Sequence, residues 1–143
     1  MEYEIRPMTI EDYDSVVTLW RGTEGIVLSD TDEREPMERF LSRNPGLSLV
    51  AHRRGELAGA VLCSQDGRRG YMHHLATGKR FRRQGIGTAL VQESLSRLRR
   101  LAIRKCNIFI LPENRDGMAF WEHNGFSLLP QYDWMQAITE ADD

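Results

Sequence analysis

The sequence predicts one α/β domain with a mixed sheet of six or seven strands and about four helices. Segments with alternating apolar residues and segments with an apolar residue every three or four positions follow one another between short turns. Their order is one strand, two helices, three strands, a helix, a strand, a helix and one or two closing strands, which is typical of an α/β domain. No linker or repeat divides the 143 residues, so we expect residues 1–143 to form a single domain.

Composition and charge are those of a soluble globular protein. Hydrophobic residues make up 41% and charged residues 28%, which argues against disorder. A formal net charge of -2 gives no reason to expect nucleic-acid binding. The start of the chain is acidic and polar, unlike a signal peptide, and no apolar run is long enough for a membrane span. Cys63 and Cys106 lie in apolar runs and are interpreted as reduced core thiols, so a cytoplasmic location is expected.

The first part of the chain predicts a strand and two helices. Tyr3–Pro7 alternates as a strand does, and Thr9 with Asp12 forms a capping-box pattern at the start of a helix that runs to Trp20. A second, short helix is predicted over Glu35–Arg43. The segment between them, Arg21–Glu33, has no period and is interpreted as a loop.

The rest of the chain predicts the remaining elements. Three strands are expected at Leu47–Arg53, Leu57–Ser64 and Tyr71–Thr77, separated by glycine-containing turns. A helix of about four turns follows over Ile86–Ile103, because its apolar residues fall on one face. The last elements are a buried strand, a helix with Asn114 as N-cap and Gly125 as stop, and one or two closing strands, predicted at 105–111, 114–126 and 127–138.

The turn "RFRRQGIG" before the long helix is the clearest functional motif. Gly85 and Gly87 permit positive φ and a close approach of a ligand to the backbone. The N–H groups of a first helical turn have no internal partner, and with the helix dipole they favour an anion such as phosphate. Arg80, Arg82 and Arg83 add positive charge. The alternative is an ordinary glycine-containing loop with solvated arginines.

Two common nucleotide motifs do not fit this turn. A P-loop requires G-x-x-x-x-G-K-S/T, and the chain contains no such string. A dinucleotide fingerprint requires a third small residue, where this chain has Leu90, and an acidic residue about 20 positions later, where it has "RKCNIF".

The motif resembles the pyrophosphate loop of the GCN5-related N-acetyltransferases (GNAT). That loop has the pattern Arg/Gln-x-x-Gly-x-Gly/Ala, which Arg82, Gly85 and Gly87 match. A second match lies about 27 residues later, where "NRDGMAFWEHNGF" resembles the late helix of the family. The order of elements upstream agrees as well, so the resemblance covers nearly the whole chain and is closest to small bacterial members.

This resemblance implies an N-acetyltransferase that moves an acetyl group from acetyl-CoA to a primary amine of a small molecule or protein, by direct attack in a ternary complex. The twisted, mostly antiparallel sheet would splay open between its fourth and fifth strands, and the cofactor would lie there. Dimers are common among such relatives, which is compatible with a homodimer. The implied cofactor-binding residues are Leu75, Ala76, Thr77, Arg82, Arg83, Gln84, Gly85, Ile86, Gly87, Thr88, Asn114 and Trp121.

The catalytic residues are less clearly indicated. Many members of the family carry a Tyr acid where this chain has Trp121, whose indole cannot deliver a proton to a thiolate. Solvent would then protonate the thiolate, or Tyr132 would substitute. His73 and His74 are the candidate bases, and strand alternation implies that only one faces the cleft. The alternative is one core and one surface histidine.

Other interpretations remain open from the sequence. An acidic stretch, Glu24–Glu35, would attract a cationic amine or would simply be a solvated loop, and no spacing indicates a metal site. A cysteine acyl-enzyme is disfavoured because both thiols are predicted to be buried. The alternative function is an acyl-CoA sensor or regulatory module with little turnover, for which Trp121 is the main support.

Overall fold

A five-stranded mixed sheet organises the protein, whose computed structural model describes residues 2–140. The strands lie in sequence order across the sheet. Neighbours among the first four pair antiparallel, and β5 pairs parallel with β4. The bounds are β1 Glu4–Pro7, β2 Leu49–Arg53, β3 Glu56–Gln65, β4 Gly70–Thr77 and β5 Cys106–Asn107.

Four helices accompany the sheet within the described residues, as the sequence predicts. Their bounds are α1 Tyr13–Arg21, α2 Arg34–Arg43, α3 Ile86–Arg100 and α4 Arg115–His123. Short 3₁₀ turns precede α1 (Ile10–Asp12), α2 (Asp30–Asp32) and α3 (Lys79–Phe81). The long loop expected before α2 therefore contains one turn of defined structure.

The predicted capping box at the first helical segment is present. The Thr9 N–H donates to Asp12 Oδ2 at 2.9 Å, and Arg6 forms an ion pair with the same carboxylate at 2.6 Å. Burial acts to raise the pKa of Asp12, but the hydrogen bonds from Arg6 and Thr9 outweigh it and hold that pKa below its usual value. This contact connects β1 to the start of α1.

Two hydrophobic clusters cover the two faces of the sheet. Leu49 and Ala51 of β2 pack with α3, whereas Val50 between them packs with α1 and α2, as strand alternation requires. Gly59 allows α3 to lie close to the sheet, since a Cβ there would lie only 3.1 Å from Leu90 Cδ1 and 3.2 Å from Ile86 Cγ2 of that helix. The helices α1 and α2 therefore lie on one face and α3 on the other.

The number and extent of the last strands differ from the prediction. The sheet has five strands rather than six or seven, and β5 is only two residues long. Phe109 and Leu111, expected inside a buried strand, are 48% and 51% exposed. Residues 127–140 form no strand. Pro130 removes one backbone donor there, and the Tyr132 N–H bonds to Leu129 O in a turn instead of to a neighbouring strand.

None of the helices within residues 2–140 has both the length and the apolar character needed to cross a bilayer.

Candidate active site

The sheet opens between β4 and β5. Their pairing consists of Gly70 with Cys106 and Tyr71 with Asn107, and β4 continues to Thr77 without a partner on that side. The gap therefore begins just beyond Tyr71. The predicted residues Leu75, Ala76 and Thr77 lie on the strand that borders it.

The turn between β4 and α3 ends in left-handed backbone. Arg83 has φ +61° and Gly85 has φ +80°, and α3 begins directly after Gly85. A glycine adopts this conformation without the steric cost that a Cβ adds. The sequence prediction that glycine serves this turn through positive φ is confirmed at Gly85; Gly87 serves a different purpose, as described below.

Six consecutive backbone N–H groups at this turn, from Arg83 to Thr88, lack an acceptor among residues 2–140. The first N–H of α3 that is bonded belongs to Ala89, which donates to Gly85 O at 2.9 Å. Unpaired N–H groups at the positive end of a helix dipole provide the chemistry that a phosphate oxygen requires. The residues present therefore fit the diphosphate of coenzyme A.

The turn is braced by side chains that the sequence analysis did not connect to it. Arg53, on β2, donates to Gln84 Oε1 at 2.8 Å, and Gln84 in turn donates to Arg80 O at 3.4 Å. Arg82 Nε donates to Thr77 O at 3.2 Å. Arg53 lies 31 residues before Gln84, so no local pattern could have identified this contact.

The helix α4 lies next to the turn and the first loop. Asn114 caps this helix by accepting from the Gly117 N–H at 2.9 Å. A Cβ on Gly87 would lie 3.4 Å from the Phe120 ring, so Gly87 permits α3 to approach α4 closely. A Cβ on Gly25 would lie 4.0 Å from Asn114 Nδ2, which places the loop after α1 beside this cap. The hydrogen bond from the Gly117 N–H confirms the predicted N-cap role of Asn114.

Trp121 is a packing residue in this structure. Its ring meets Phe120 and Phe126 edge-on, with centroids 5.3 Å and 4.9 Å away, and it packs against the α3-side cluster. The indole N–H makes no hydrogen bond to any residue between 2 and 140. Trp121 therefore holds α4 against the core.

A β-bulge in β4 changes the direction of the histidines. His74 and Leu75 together lie opposite Val61, between the pairs Leu62–His73 and Ala60–Ala76. His74 has φ +54°, which is rare for a residue other than glycine. The extra residue interrupts the alternation of side chains along the strand.

Both histidines consequently face the side of α1 and α2. Met72 packs in the α3-side cluster, so His73, the next residue, points to the opposite face, and the His74 ring packs against Trp20 of α1. The expectation that strand alternation directs only one of the pair toward the cleft is wrong, because that rule does not apply across a bulge. Burial is the main cause that lowers the pKa of His73, with a smaller contribution from His74 and opposition from Asp32.

Asp32 is the functional candidate that the sequence analysis missed. Its Oδ1 lies 3.0 Å from His74 Nε2, and its other carboxylate oxygen accepts from the Ser29 N–H at 3.0 Å. Tyr13 hydroxyl donates to Asp32 O at 2.7 Å, and Trp20 Nε1 donates to His74 O at 2.8 Å. The sequence showed Asp32 only as one of several acidic loop residues, and no spacing distinguished it from them.

The remaining sequence candidates have weaker positions. Tyr132 is 69% exposed and makes neither a ring contact nor a hydrogen bond to His73 or His74. Burial raises the pKa of the Cys63 and Cys106 thiols to about 12, which leaves them protonated and unreactive at neutral pH. Within the part of the chain that the structure describes, no cluster of three or more metal-ligating side chains is found.

Concave surfaces lie on both sides of this region. A groove of about 360 Å³ runs between the end of α1 and the turn, lined by Thr18, Leu19, Gly22, Thr23 and residues 77–82. A wider concavity of about 1110 Å³ lies along β1 and the β2–β3 turn, and none of the predicted site residues lines it. The smaller groove therefore gives the turn an accessible flank.

Comparison with known proteins agrees with this geometry. The profile of the Acetyltransferase (GNAT) family matches residues 13–126. An acetyltransferase of Photorhabdus laumondii subsp. laumondii is 33% identical over 120 residues, which cover 82% of this chain and 80% of that protein.

Solved structures show the same fold. Ard1 from Thermoplasma volcanium aligns with a TM-score of 0.80 at 20% identity, covering 90% of this chain and 85% of that one. PaiA N-acetyltransferase from Thermoplasma acidophilum, solved in complex with coenzyme A, aligns with a TM-score of 0.78 at 20% identity, covering 90% and 92%. The family profile, the relative and the shared fold together establish that the chain belongs to the GNAT acetyltransferase family of enzymes.

Proposed function

We propose that this protein transfers an acetyl group from acetyl-CoA to a primary amine by direct attack in a ternary complex. The observation that carries the proposal is the series of six backbone N–H groups from Arg83 to Thr88 that find no acceptor within residues 2–140, near a gap between two strands. A diphosphate is the ligand class that such a helix start favours. The gap beside Leu75–Thr77 supplies the space in which the pantetheine arm would lie.

Several residues would hold acetyl-CoA. The backbone from Arg83 to Thr88 would bind its diphosphate, and Arg82 and Arg83, both exposed, would add positive charge. Backbone groups of Leu75, Ala76 and Thr77 would pair with the pantetheine arm, and Asn114 would border it from the start of α4. The thioester supplies an activated acetyl carbonyl, and a backbone N–H near the bulge would bind the oxygen of that carbonyl.

His74 is the best candidate for the general base. Its Nε2 lies beside Asp32, which favours the tautomer that carries the proton on Nε2 and leaves Nδ1 free to accept another. Nδ1 would take the proton that the amine loses as the new C–N bond forms and the C–S bond breaks. His73, whose pKa is lowered chiefly by burial, would remain neutral and shape the site.

The leaving thiolate needs little assistance. A thiol has a pKa of about 8.5, so a thiolate is a stable leaving group near neutral pH and solvent can protonate it. Trp121 offers no transferable proton, and Tyr132 lies in the exposed tail. The departure from tyrosine at position 121 is therefore compatible with turnover without a dedicated acid.

Thermal melting with acetyl-CoA tests the cofactor part of the proposal. A ligand at 100 times its Kd stabilises a protein by about 2.7 kcal/mol, a rise of several degrees in Tm at this chain length. We expect that rise with acetyl-CoA and not with ATP or NAD. A well-folded sample that acetyl-CoA does not stabilise would contradict the proposal. Release of free CoA from a panel of primary amines then tests the transfer itself.

A further inference from the structure

Four aromatic rings form a continuous surface at the mouth of the strand gap. Phe109 stacks near Tyr71 with ring centroids 6.5 Å apart, and its centroid lies 5.7 Å from that of His73. Trp134, from the C-terminal tail, lies over Phe109 with centroids 4.1 Å apart. Tyr71, His73, Phe109 and Trp134 are called the aromatic wall below.

The aromatic wall is not part of the protein core. Neither Tyr71, Phe109 nor Trp134 belongs to the two hydrophobic clusters that cover the sheet. Phe109 is 48% exposed and Trp134 is 70% exposed. Large aromatic side chains left open to solvent as a contiguous group are characteristic of binding surfaces. The folding of the core therefore does not account for this arrangement.

The position of the aromatic wall connects it to the acceptor side of the site. His73 belongs to the wall and directly precedes His74, the candidate base, and the bulge directs both toward α1 and α2. The unpaired N–H groups of the turn lie instead at the start of α3. A molecule that contacts Phe109 and Trp134 would therefore approach the histidines from the side opposite to the Arg83–Thr88 turn, called the diphosphate turn below because it would bind the diphosphate.

We propose that the aromatic wall binds the acceptor, and that the acceptor is a primary amine with an aromatic group close to its nitrogen. This inference rests on the proposed acetyl transfer and specifies its substrate class. The rings would contact the aromatic group of the acceptor, while its nitrogen lies near His74 and the Asp32 carboxylate. A compact monoamine meets both requirements.

The chemistry of the wall disfavours a polycationic acceptor. Burial around His73 opposes positive charge, as the lowered pKa of that residue indicates. The nearest buried carboxylate, Asp32, is already paired with His74. A second or third ammonium group on the acceptor would therefore lie against aromatic rings, with the Asp32 carboxylate already occupied, whereas an aromatic ring would gain contact area.

The same chemistry occurs in free arylalkylamines and in peptides that begin with an aromatic residue. The first measurement is therefore kcat/KM, from CoA release, for 2-phenylethylamine, n-butylamine and spermidine, and for two tripeptides that differ only in an N-terminal Phe or Gly. In at least one pair, we expect the kcat/KM of the aromatic substrate (2-phenylethylamine or the Phe tripeptide) to exceed that of its non-aromatic partner (n-butylamine or the Gly tripeptide) by about tenfold or more. This is the range that apolar pocket contacts supply. A preference within the free amines would identify a small arylalkylamine as the acceptor, and a preference within the tripeptides would identify a peptide N-terminus.

Two variants connect that preference to the wall. Trp134→Ala and Phe109→Ala should lower the aromatic-to-aliphatic ratio of kcat/KM toward one, with acetyl-CoA binding retained. Leu101→Ala is the matched control, since Leu101 is an exposed apolar residue (53%) just after α3 and outside both clusters. It should keep the wild-type ratio. Melting curves verify that each variant is folded.

The possible failures are distinguishable. Turnover of all amines without aromatic preference, or a preference that survives both wall variants, would overturn this inference alone. Absence of both acetyl-CoA binding and CoA release would overturn the proposed function as well. Sedimentation provides a further test: a dimer that Trp134→Ala dissociates would mean that a second copy of the chain covers the wall, which would also overturn the inference.

Discussion

His74 Nε2 lies 3.0 Å from Asp32 Oδ1, although 42 positions separate the two residues in the chain. Asp32 is only 8% exposed, and the 3₁₀ turn that contains it is capped by Ser29. Trp20 of α1 fixes the backbone at His74, because its Nε1 donates to the His74 carbonyl, and its ring packs against the imidazole. The loop before α2 and the bulge of β4 thus present one fixed carboxylate–imidazole pair.

Replacing Asp32 with asparagine should lower kcat while leaving the KM for acetyl-CoA unchanged. The amide keeps the size of the carboxylate and can still accept from the Ser29 N–H, but the amide nitrogen that then faces His74 Nε2 is a donor and no longer favours the tautomer with the proton on Nε2. General-base assistance contributes about 10²–10⁴-fold, so we expect a fall of about 100-fold. Steady-state CoA release with saturating amine measures the effect.

Asp30→Asn is the matched control for that variant. Asp30 lies in the same 3₁₀ turn and carries the same charge, but it is exposed. It should retain the wild-type kcat. Equal losses in the two variants would mean that loop charge in general, rather than the Asp32–His74 pair, supports catalysis.

Replacing Gly85 with alanine should weaken both stability and acetyl-CoA binding. The φ of +80° at Gly85 disfavours any Cβ, although nothing lies within 4 Å of where one would be placed. The expected stability loss is about 1–2 kcal/mol, the cost of left-handed backbone for a residue with a Cβ. Urea denaturation and titration with acetyl-CoA measure the two effects.

Gly67→Ala separates the two effects of the Gly85 change. Gly67 lies in the β3–β4 turn with φ +91° and has equally open surroundings, but it is far from the diphosphate turn in sequence. It should lose similar stability and keep its affinity for acetyl-CoA. The diphosphate assignment fails if both variants bind acetyl-CoA like the wild type.

The cap at the start of α4 can be tested with a substitution, Gly117→Ala, whose effect on stability should change sign when the Asn114 side chain is removed. A Cβ on Gly117 would lie 2.5 Å from Asn114 Nδ2, so Gly117→Ala should displace the capping side chain and destabilise the protein. Losing such a cap costs about 1 kcal/mol. With Asn114 already changed to alanine, Gly117→Ala should instead stabilise by about 0.5–1 kcal/mol, because alanine is the better helix former.

A double-mutant cycle over Asn114 and Gly117 measures that coupling. The free energy of unfolding of the wild type, both single variants and the double variant is required. If Gly117→Ala has the same effect in both backgrounds, the side chain of Asn114 does not occupy the space that the structure assigns to it.

His73 should make the folded state sensitive to mild acid. Its folded pKa lies below the ordinary 6.5, mainly because burial disfavours its charged form. The unfolded chain therefore binds more protons below about pH 6.5, and stability is lost as pH falls from there toward the folded pKa. Above that range His73 is neutral in both states and contributes no such loss.

His73→Leu should remove this part of the pH dependence. We would measure the free energy of unfolding of both proteins from pH 8 down to pH 5. The difference at pH 8 serves as the reference, and the wild type should lose more stability than the variant as the pH falls. Parallel profiles would show that His73 is not desolvated in the folded protein.

Local patterns in the sequence were sufficient for much of the fold and for the conformation of the glycine turn before α3. The glycine before α3, the capping box at Thr9 and the cap at Asn114 are found where the sequence predicts them. Each depends on residues within a few positions of one another. The backbone conformation and hydrogen bonds at the two caps are set largely by those residues, whereas the glycine turn is also braced by Arg53 of β2.

The end of the sheet shows where local patterns were insufficient. The apolar run after Lys105 and the tail after Phe126 have the composition of strands, yet only Cys106–Asn107 is paired. A strand requires a neighbour to accept its hydrogen bonds, and that neighbour is not encoded in the segment itself. The same residues instead contribute Phe109 and Trp134 to an exposed aromatic surface.

The sequence by itself determined the elements of the first four strands and the four helices, and the glycine turn before α3, because periodicity and capping act over short distances. Only the tertiary structure decided how the proposed acceptor side is arranged. The bulge that directs His73 and His74 to one face depends on pairing with β3. The approach of Asp32 to His74 depends on how the loop before α2 packs against β4. Contacts between residues so far apart in sequence arise from the packing of the whole fold, and no local pattern specifies them.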